Sequence, residues 1–467
     1  MRIFSRETRQ SSRMYLELVQ LATPIAGLQL AQIALTSVDL MMMGIVSVKA
    51  VAAGGLAVLL YNQLRTMCVG MVTGVGNLVA SAVAKGEHPS GGSTLDVQTA
   101  NEITNLIRAA TLIATVCAFI AAAVLLLIGF SLPLLGQNPD VVTLARPVML
   151  ALIPGLFPML WLNVLRQFAV GLRRASSLLR VAIASIGVNA LLNAIFIFGW
   201  LGMPHLGLTG IGLSTTLVQT WTFLVYLRQV RRDPEMGALL GIDGWRAPAA
   251  TVRKIYRMGL PVALTYGSEA ALTSVASIFM GTFGPTALAA SNVVNNLAYV
   301  AYQFNIGLSH GASILVSRAL ARARFDEISA IARRAFTISF ALMSLIGLVY
   351  LTSPQLALYP FVNAKHETAV LLEAETLLWF AVAHQYLKGF QNISIGLLRG
   401  LGNVRAGLKI TTIGYWIVGV PAMVLGGYML GWQGKGIWLG MCASFAVTGV
   451  LLLRRFSHEM VAASQSA

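Results

Sequence analysis

Two ionisable residues, Lys388 and Glu269, lie deep inside apolar stretches of the 467-residue chain. The stretch around Lys388 ends at Arg399, eleven residues later, which corresponds to about 16 Å along a helix. Glu269 follows Arg257 by twelve residues, a helical rise of about 18 Å. A lone charge at that depth in a hydrocarbon core is costly, and a lysine side chain is too short to reach water from there. We therefore expect these side chains to face a water-filled cavity or a partner.

A second set of polar side chains lies in the first half of the chain. Asp39 precedes Gly44 by five residues, and it is either an interfacial acid at a helix end or a carboxylate that lines a cavity. In low-dielectric surroundings a carboxylate binds cations strongly and can exchange H⁺ or Na⁺. Asn189 and Asn193 are four residues apart and share one helix face. Their amides either hold helices together or supply neutral oxygen ligands beside Asp39.

The composition indicates that these residues lie on membrane-spanning helices. The chain is 57% hydrophobic and 11% charged, whereas a soluble protein is about 25% charged. Apolar stretches of about 18 or more residues recur along its length. The net charge of +16 does not indicate a nucleic-acid partner, because the basic residues cluster in the loops between these stretches. All three cysteines lie inside apolar stretches, which argues against a disulfide framework.

Twelve apolar spans predict an all-α polytopic membrane protein. Arginine and lysine concentrate in alternate loops, from Arg2 and Arg6 at one end to Arg454 and Arg455 at the other. By the positive-inside rule, this distribution places both termini in the cytoplasm. The predicted spans are 14–43, 50–82, 103–131, 147–170, 178–200, 209–227, 255–282, 286–317, 333–353, 370–398, 406–428 and 435–453.

The chain also repeats itself. The segment Ala34–Val38 recurs as Ala271–Val275, and the same offset places Pro24 on Pro261. Because each half then holds an even number of spans, the halves share one orientation and form a parallel pseudo-repeat, with a cavity expected at their interface. The predicted organisation is an N-terminal six-helix half (1–227), a basic cytoplasmic linker (228–254) and a C-terminal six-helix half (255–467).

Five short motifs, spread in order over nearly the whole chain, carry a family resemblance. They are LATP at Leu21–Pro24, VDLMMMG at Val38–Gly44, MGLPVA at Met258–Ala263, GLLRGLGN at Gly396–Asn403 and GKGIWLG at Gly434–Gly440. Together they resemble the multidrug and toxic compound extrusion (MATE) transporters of the NorM branch. The resemblance implies twelve transmembrane helices in two halves around a V-shaped central cavity, and antiport in which a cytoplasmic compound leaves while Na⁺ or H⁺ enters.

In the N-terminal half, the resemblance implies a cation-coupling site. Asp39 matches the aspartate of the family's first helix, and Thr215 matches a hydroxyl that completes the site. Some branches carry an aspartate where this chain has Asn193, so a site here has less negative charge. Coordination of Na⁺ by Asp39, Asn189 and Asn193 and protonation of Asp39 are both open alternatives.

In the C-terminal half, the chain departs from the family pattern. Glu269 matches the cation-binding glutamate of the seventh helix, but Lys388 occupies the position where close relatives carry an aspartate. His384 lies one turn before Lys388, at a position where close relatives carry a tyrosine. We hypothesise that the Lys388 ammonium takes the place of the coupling cation and pairs with Glu269. A purely structural ion pair is the alternative.

Further residues are candidates for a substrate cavity. Arg65 lies near the middle of the second span, where it either snorkels, pairs with Asp39 or recognises substrate. Arginine binds carboxylate or phosphate groups through two parallel hydrogen bonds. Together with Lys388 it would therefore suit an anionic or zwitterionic compound. The other candidates are Tyr266, Tyr302, Phe304 and His310, and for His310 the alternative is a role in helix packing.

The resemblance implies a secondary active exporter that moves small toxic, drug-like or natural-product compounds out of the cytoplasm by alternating access. The alternatives are a flippase for lipids or lipid-linked precursors, a channel and an intramembrane enzyme. The scattered histidines and the lack of an H-E-x-x-H motif disfavour the enzyme, and the lack of a Walker motif disfavours ATP as the energy source. We expect a monomer in the bacterial inner membrane, whose partners are a small-molecule substrate, lipid and H⁺ or Na⁺, with no cofactor.

Overall fold

A computed structural model describes residues 2–87, 96–135, 139–358 and 368–465. Within these ranges the backbone is predominantly helical and contains no β-strand. The helices are α1 (Arg2–Val46), α2 (Val48–Thr73), α3 (Val75–Gly86), α4 (Val97–Ser131), α5 (Pro139–Leu152), α6 (Leu156–Gly171), α7 (Ser176–Phe198), α8 (Gly207–Arg232), α9 (Pro234–Ala238), α10 (Ala249–Thr282), α11 (Pro285–Ala321), α12 (Phe325–Thr352), α13 (Pro354–Leu358), α14 (Thr368–Gly400), α15 (Val404–Thr412), α16 (Val420–Val424) and α17 (Gln433–Gln465).

The twelve predicted spans are confirmed as helices, three of them interrupted. The second span comprises α2 and α3, which are separated by one residue. In the fourth, a 3₁₀ turn at Ile153–Gly155 separates α5 from α6. In the eleventh, π-helical turns at Ile413–Gly419 and Leu425–Met429 flank α16. Pro154 and Pro421 lie in the fourth and eleventh spans, and proline lacks the N–H that a regular helix requires.

The described helices differ in how apolar they are. Eight helical stretches are long and apolar enough to cross a membrane by length and composition. The long helices α8, α10, α11 and α14 are not among these eight in the described part of the chain. They hold Thr215, Glu269, Tyr302 and Lys388. The less apolar helices therefore carry most of the candidate functional residues.

The helices group into two compact units whose edges differ from those of the linear halves. One unit is Gly27–Gly267, and the other comprises Met1–Ala26 and Ser268–Ala467. Close helix packing at glycines accounts for these edges, because small residues let helix backbones approach. A Cβ on Gly307 would lie 2.6 Å from the carbonyl oxygen of Ala22, within the second unit. The division into 1–227, 228–254 and 255–467 stays a prediction.

The basic segment at 228–254 is folded locally. It contains the end of α8, the short helix α9, a 3₁₀ turn and the start of α10. Arg174 Nη1 lies 2.7 Å from Asp233 Oδ2, and Arg108 Nε lies 2.7 Å from Asp243 Oδ1. The Met236 N–H, which donates to Asp233, and the Arg174 guanidinium lower the pKa of that carboxyl. The segment is therefore held to α4 and to the turn before α7.

Candidate functional site

A polar pocket lies within the unit Gly27–Gly267, where α1, α2, α7 and α8 meet. Its walls include both acidic and neutral hydrogen-bonding groups. The polar lining includes Gln32, Thr36, Asp39, Asn62, Asn189 and Thr215. The pocket is thus built around the carboxylate that the sequence singles out.

Asp39 is 7% exposed and accepts hydrogen bonds from three neutral groups. Its Oδ1 lies 3.1 Å from Asn189 Nδ2 and 2.8 Å from Asn193 Nδ2. Its Oδ2 lies 3.0 Å from Thr215 Oγ1. The spacing of the two asparagines on α7 directs both amides at the same oxygen. The structure therefore brings together all four residues proposed for the N-terminal site.

The donors around Asp39 bear on which ion the site could hold. Asn193 Nδ2 also donates to Asn189 Oδ1 at 2.8 Å, so that oxygen is already used. Asn193 Oδ1 is buried without a hydrogen-bond partner. The neighbours thus present mainly N–H and O–H groups to the carboxylate, and no group of three or more His, Cys, Asp or Glu side chains that could hold a metal ion occurs among the described residues. Coordination of Na⁺ by these residues and protonation of Asp39 therefore both stay predictions.

In the other unit, Lys388 on α14 meets Glu269 on α10. Lys388 Nζ lies 3.2 Å from Glu269 Oε1, with side-chain exposures of 13% and 14%. The ammonium also lies 4.1 Å from the ring centroid of Tyr302 and 5.4 Å from that of Phe445. One carboxylate and two aromatic faces thus replace much of the hydration that burial removes.

His384 lies one turn before Lys388 but outside the ion pair. Its ring packs edge-on against Trp438, with centroids 5.5 Å apart, and against Phe445 at 5.0 Å. Its Nδ1 is buried without a hydrogen-bond partner. Phe445 therefore contacts both the imidazole and the ammonium, which links His384 to Lys388 through a shared aromatic ring.

Two residues that the sequence analysis missed complete the surroundings of Lys388. Asn392 Nδ2 donates to the hydroxyl of Tyr302 at 2.6 Å, which fixes the ring that the ammonium contacts. Phe445 on α17 supplies the second aromatic face. Asn392 follows Lys388 by four residues and so shares its helix face, which is a signal that the sequence does contain.

Arg65 forms no hydrogen bond or ion pair with Asp39 in the described part of the chain, and its role stays a prediction. Its Nε donates instead to Asn62 Oδ1 at 3.1 Å, on the same helix. The described partners of Asp39 are the three neutral groups given above. Because Asn62 also lines the pocket around Asp39, Arg65 lies one turn from that pocket.

The remaining cavity candidates occupy different surroundings. Tyr302 is buried on α11 and contacts Lys388. Phe304 and His310 are half-buried on the same helix, and Tyr266 is half-buried on α10. The lining of the pocket around Asp39 does not include any of these four. Their assignment as substrate-contacting residues therefore stays a prediction from the sequence.

Arg166 on α6 is a membrane arginine that the sequence analysis passed over. Its Nη1 lies 3.4 Å from Gln29 Oε1 on α1. Its helix packs against α2, which carries Arg65. Its position inside the fourth predicted span, 147–170, was the sequence signal that could have identified it as a membrane-embedded arginine.

Comparison with known proteins supports the internal repeat. The profile of the MatE family matches two stretches, residues 24–195 and 261–425. The two matches begin at Pro24 and Pro261, the prolines that the sequence repeat superposes. Both halves of the chain therefore carry the same family pattern.

The chain is also similar to curated proteins and solved structures over nearly its full length. A probable multidrug resistance protein NorM of Pseudomonas aeruginosa is 32% identical, covering 95% of this chain and 89% of the relative. One of Brucella suis is 29% identical, covering 96% and 94%. An outward-facing multidrug resistance MATE transporter of the MOP superfamily superposes with a TM-score of 0.84 at 16% identity, with 97% of each chain covered.

A further neighbour, a MOP superfamily transporter from Pyrococcus furiosus, is described as having a binding pocket of reverse polarity that suggests a different function. It superposes with a TM-score of 0.82 at 16% identity, covering 96% of each chain. These structural likenesses agree with the all-helical fold. The match of the family profile to most of the sequence establishes that the chain is a member of the MATE family of membrane transporters.

Proposed function

We propose that this protein is a secondary active exporter of small drug-like or natural-product compounds, driven by H⁺ entry through Asp39. The multidrug resistance names of relatives that align over almost the whole chain support export of such compounds. The observation that carries the proposal is the geometry of Asp39, a buried carboxylate held by three neutral donors in a polar pocket. Family membership makes an intramembrane enzyme the wrong class.

The Lys388–Glu269 pair supports protonic over sodium coupling. A cation that is covalently attached to α14 already neutralises Glu269, at 3.2 Å. A second cation beside them would face repulsion from the ammonium and would need to displace it from its aromatic contacts. The C-terminal pair therefore acts as a fixed salt bridge, and Asp39 is left to exchange the coupling ion.

The pair of membrane-embedded bases favours an anionic or zwitterionic substrate over a lipophilic cation. Lys388 is neutralised by Glu269, whereas Arg65 donates to a neutral amide. The pocket of reverse polarity described for the Pyrococcus furiosus neighbour is a precedent for a change of pocket charge on this fold. A flippase for lipid precursors is the second candidate function, because it would also handle anionic groups.

We further propose a setting for the exporter. The bacterial origin of the named relatives supports the inner membrane of a bacterium. The alternation of basic loops supports cytoplasmic termini. The two six-helix halves predicted from the sequence would need no partner chain to form a cavity, which supports a monomer as the working unit.

Reconstitution into proteoliposomes tests the coupling ion. We expect a pH gradient to drive transport of a fluorescent dye. An equal Na⁺ gradient at constant pH should drive little dye transport. Asp39→Asn should abolish pH-driven transport, because a side-chain amide does not bind and release a proton as a carboxylate does. Asp326→Asn, at an exposed position on α12, serves as the control. Transport driven by Na⁺ alone, or full activity of Asp39→Asn, would contradict the proposal.

A further inference from the structure

The unit Gly27–Gly267 holds two neighbouring arginines without an acidic partner. Arg65 lies on α2 and Arg166 on α6, and these two helices pack against each other. Their recorded hydrogen bonds go to neutral side-chain oxygens, those of Asn62 and Gln29. Among the residues that the structure describes, no carboxylate forms an ion pair with either guanidinium. Two like charges in a low-dielectric region repel each other, so this arrangement gains stability when an anion lies between them.

Unsatisfied donors cluster in the same region. Arg166 Nε is buried without a hydrogen-bond partner, and so is the hydroxyl of Tyr61. Tyr61 is 5% exposed, lies one turn before Arg65 on α2 and lines the same pocket as Asp39. Buried polar groups in folded proteins are nearly always hydrogen-bonded. Orphaned donors beside two guanidinium groups indicate a position for an acceptor that the protein itself does not supply.

This donor cluster adjoins the pocket around Asp39. Tyr61 and Asn62 both line that pocket, and Asn62 also accepts the hydrogen bond from Arg65. Arg65 therefore lies about one turn of α2 beyond the pocket that holds the Asp39 carboxylate. A ligand that spans the two ends would match its environment if it carried an anionic group at one end and a cationic group at the other.

We propose that Arg65 and Arg166 bind the carboxylate of a zwitterionic substrate, with the Tyr61 hydroxyl as an additional donor and the cationic group of the substrate directed toward Asp39. This inference rests on the proposed export function and deepens it by assigning the substrate's acidic group to named residues. Arginine suits the task because its planar guanidinium donates two parallel hydrogen bonds to a carboxylate. Movement of a cationic substrate group to Asp39 would also compete with its proton, which connects binding to coupling.

A matched pair of dyes tests the inference. Rhodamine B is a zwitterion with a free carboxylate, and its ethyl ester is a cation of nearly the same shape. We expect Arg65→Gln and Arg166→Gln to weaken binding of rhodamine B by about 10-fold, the scale of one charge-assisted hydrogen bond. Binding of the ester should change by less than about 2-fold. Fluorescence anisotropy with the purified full-length protein measures both affinities, and Arg231→Gln, at an exposed end of α8, is the control.

The same variants separate this inference from the export function. Transport of the ester by Arg65→Gln in proteoliposomes shows that the variant is folded and active. If wild-type vesicles export neither dye under a pH gradient, the export proposal fails, while the binding ratio still decides the arginine site. Equal loss of affinity for both dyes, or no loss for rhodamine B, overturns the inference. Arg65→Lys should recover only part of the affinity, because lysine keeps the charge and lacks the paired donors.

Discussion

The ammonium of Lys388 lies 4.1 Å from the ring centroid of Tyr302, on a different helix. The hydroxyl of that ring accepts a 2.6 Å hydrogen bond from Asn392, one turn after Lys388 on α14. α14 therefore both supplies the cation and orients the aromatic face that receives it. The ion pair with Glu269 is consequently one part of a larger arrangement, and each part can be removed separately.

Loss of the Tyr302 ring should destabilise the protein. Tyr302→Leu removes the cation–π contact and should lower the free energy of unfolding by about 1 kcal/mol. Tyr302→Phe keeps the ring and loses only the hydrogen bond with Asn392, so it should have a smaller effect. Thermal unfolding followed with a thiol-reactive dye that detects exposure of Cys442 measures both. Tyr256→Leu, at a half-exposed position, controls for loss of an aromatic ring.

A double-mutant cycle should show that Lys388 and Glu269 are coupled. Lys388→Met leaves the carboxylate of Glu269 without its cation, and Glu269→Gln leaves the ammonium without its anion. The double variant should therefore lose less stability than the two single losses added together, with a coupling energy between about 0.5 and 3 kcal/mol. Strictly additive effects on the unfolding midpoint in detergent would show that the contact contributes nothing.

The hydroxyl of Thr215 should matter for proton-driven transport. Thr215→Val removes one of three donors to Asp39 while keeping the side-chain shape. A hydrogen bond to a charged group contributes about 1.5–3 kcal/mol, so we expect pH-driven dye transport to fall about tenfold or more. Thr220→Val is the matched control on α8, because Thr220 bonds only to the backbone oxygen of Thr216. Similar rates for the two variants would argue against a role for Thr215.

The folded segment after α8 should loosen at low pH. The pKa of Asp233 lies below its usual value of 3.8 because of the Met236 N–H and Arg174. A carboxyl with a lowered folded-state pKa stabilises above its unfolded pKa, and this contribution is lost as pH falls through the folded value. The protection of residues 233–246 against hydrogen exchange, measured relative to the unfolded chain at the same pH, should therefore fall below about pH 4.

Two variants of Asp233 separate the contribution of its negative charge from that of its capping hydrogen bonds to α9. Asp233→Ala removes the cap of α9, which costs about 1 kcal/mol, and should raise exchange already at pH 7. Asp233→Asn keeps a capping side chain and removes the charge, so its exchange should depend less on pH. A pH dependence equal to that of the wild type in Asp233→Asn would assign the loosening to another group.

Local apolar patterns predicted the helical spans, and the family resemblance supplied the grouping of Thr215 and the asparagines with Asp39. Long apolar stretches specify membrane helices, and two asparagines four residues apart share a face whatever surrounds them. The depth of Lys388 required a partner, and the family pattern pointed to Glu269. In these cases, helix geometry and the cost of burying charge leave few alternatives.

The features that the sequence did not reveal depend on how separate helices are rotated and packed. Arg166 lies near the end of its span, where an arginine ordinarily reaches water, so its closeness to Arg65 could not be read from position alone. Tyr302 faces Lys388 only because α11 presents that side to α14. The π-helical turns at Ile413–Gly419 and Leu425–Met429 leave the apolar pattern of the eleventh span unchanged.

The lower apolarity of α8, α10, α11 and α14 has a consequence for biogenesis. A ribosome synthesises α10 well before α14, so Glu269 enters the translocon while its lysine partner is still untranslated. Insertion of a helix with a charge near its centre is unfavourable by itself. We therefore expect nascent α10 to stay in contact with water or with a membrane chaperone. Chains that terminate before α14 should expose this acid to lipid and become substrates for membrane quality-control proteases.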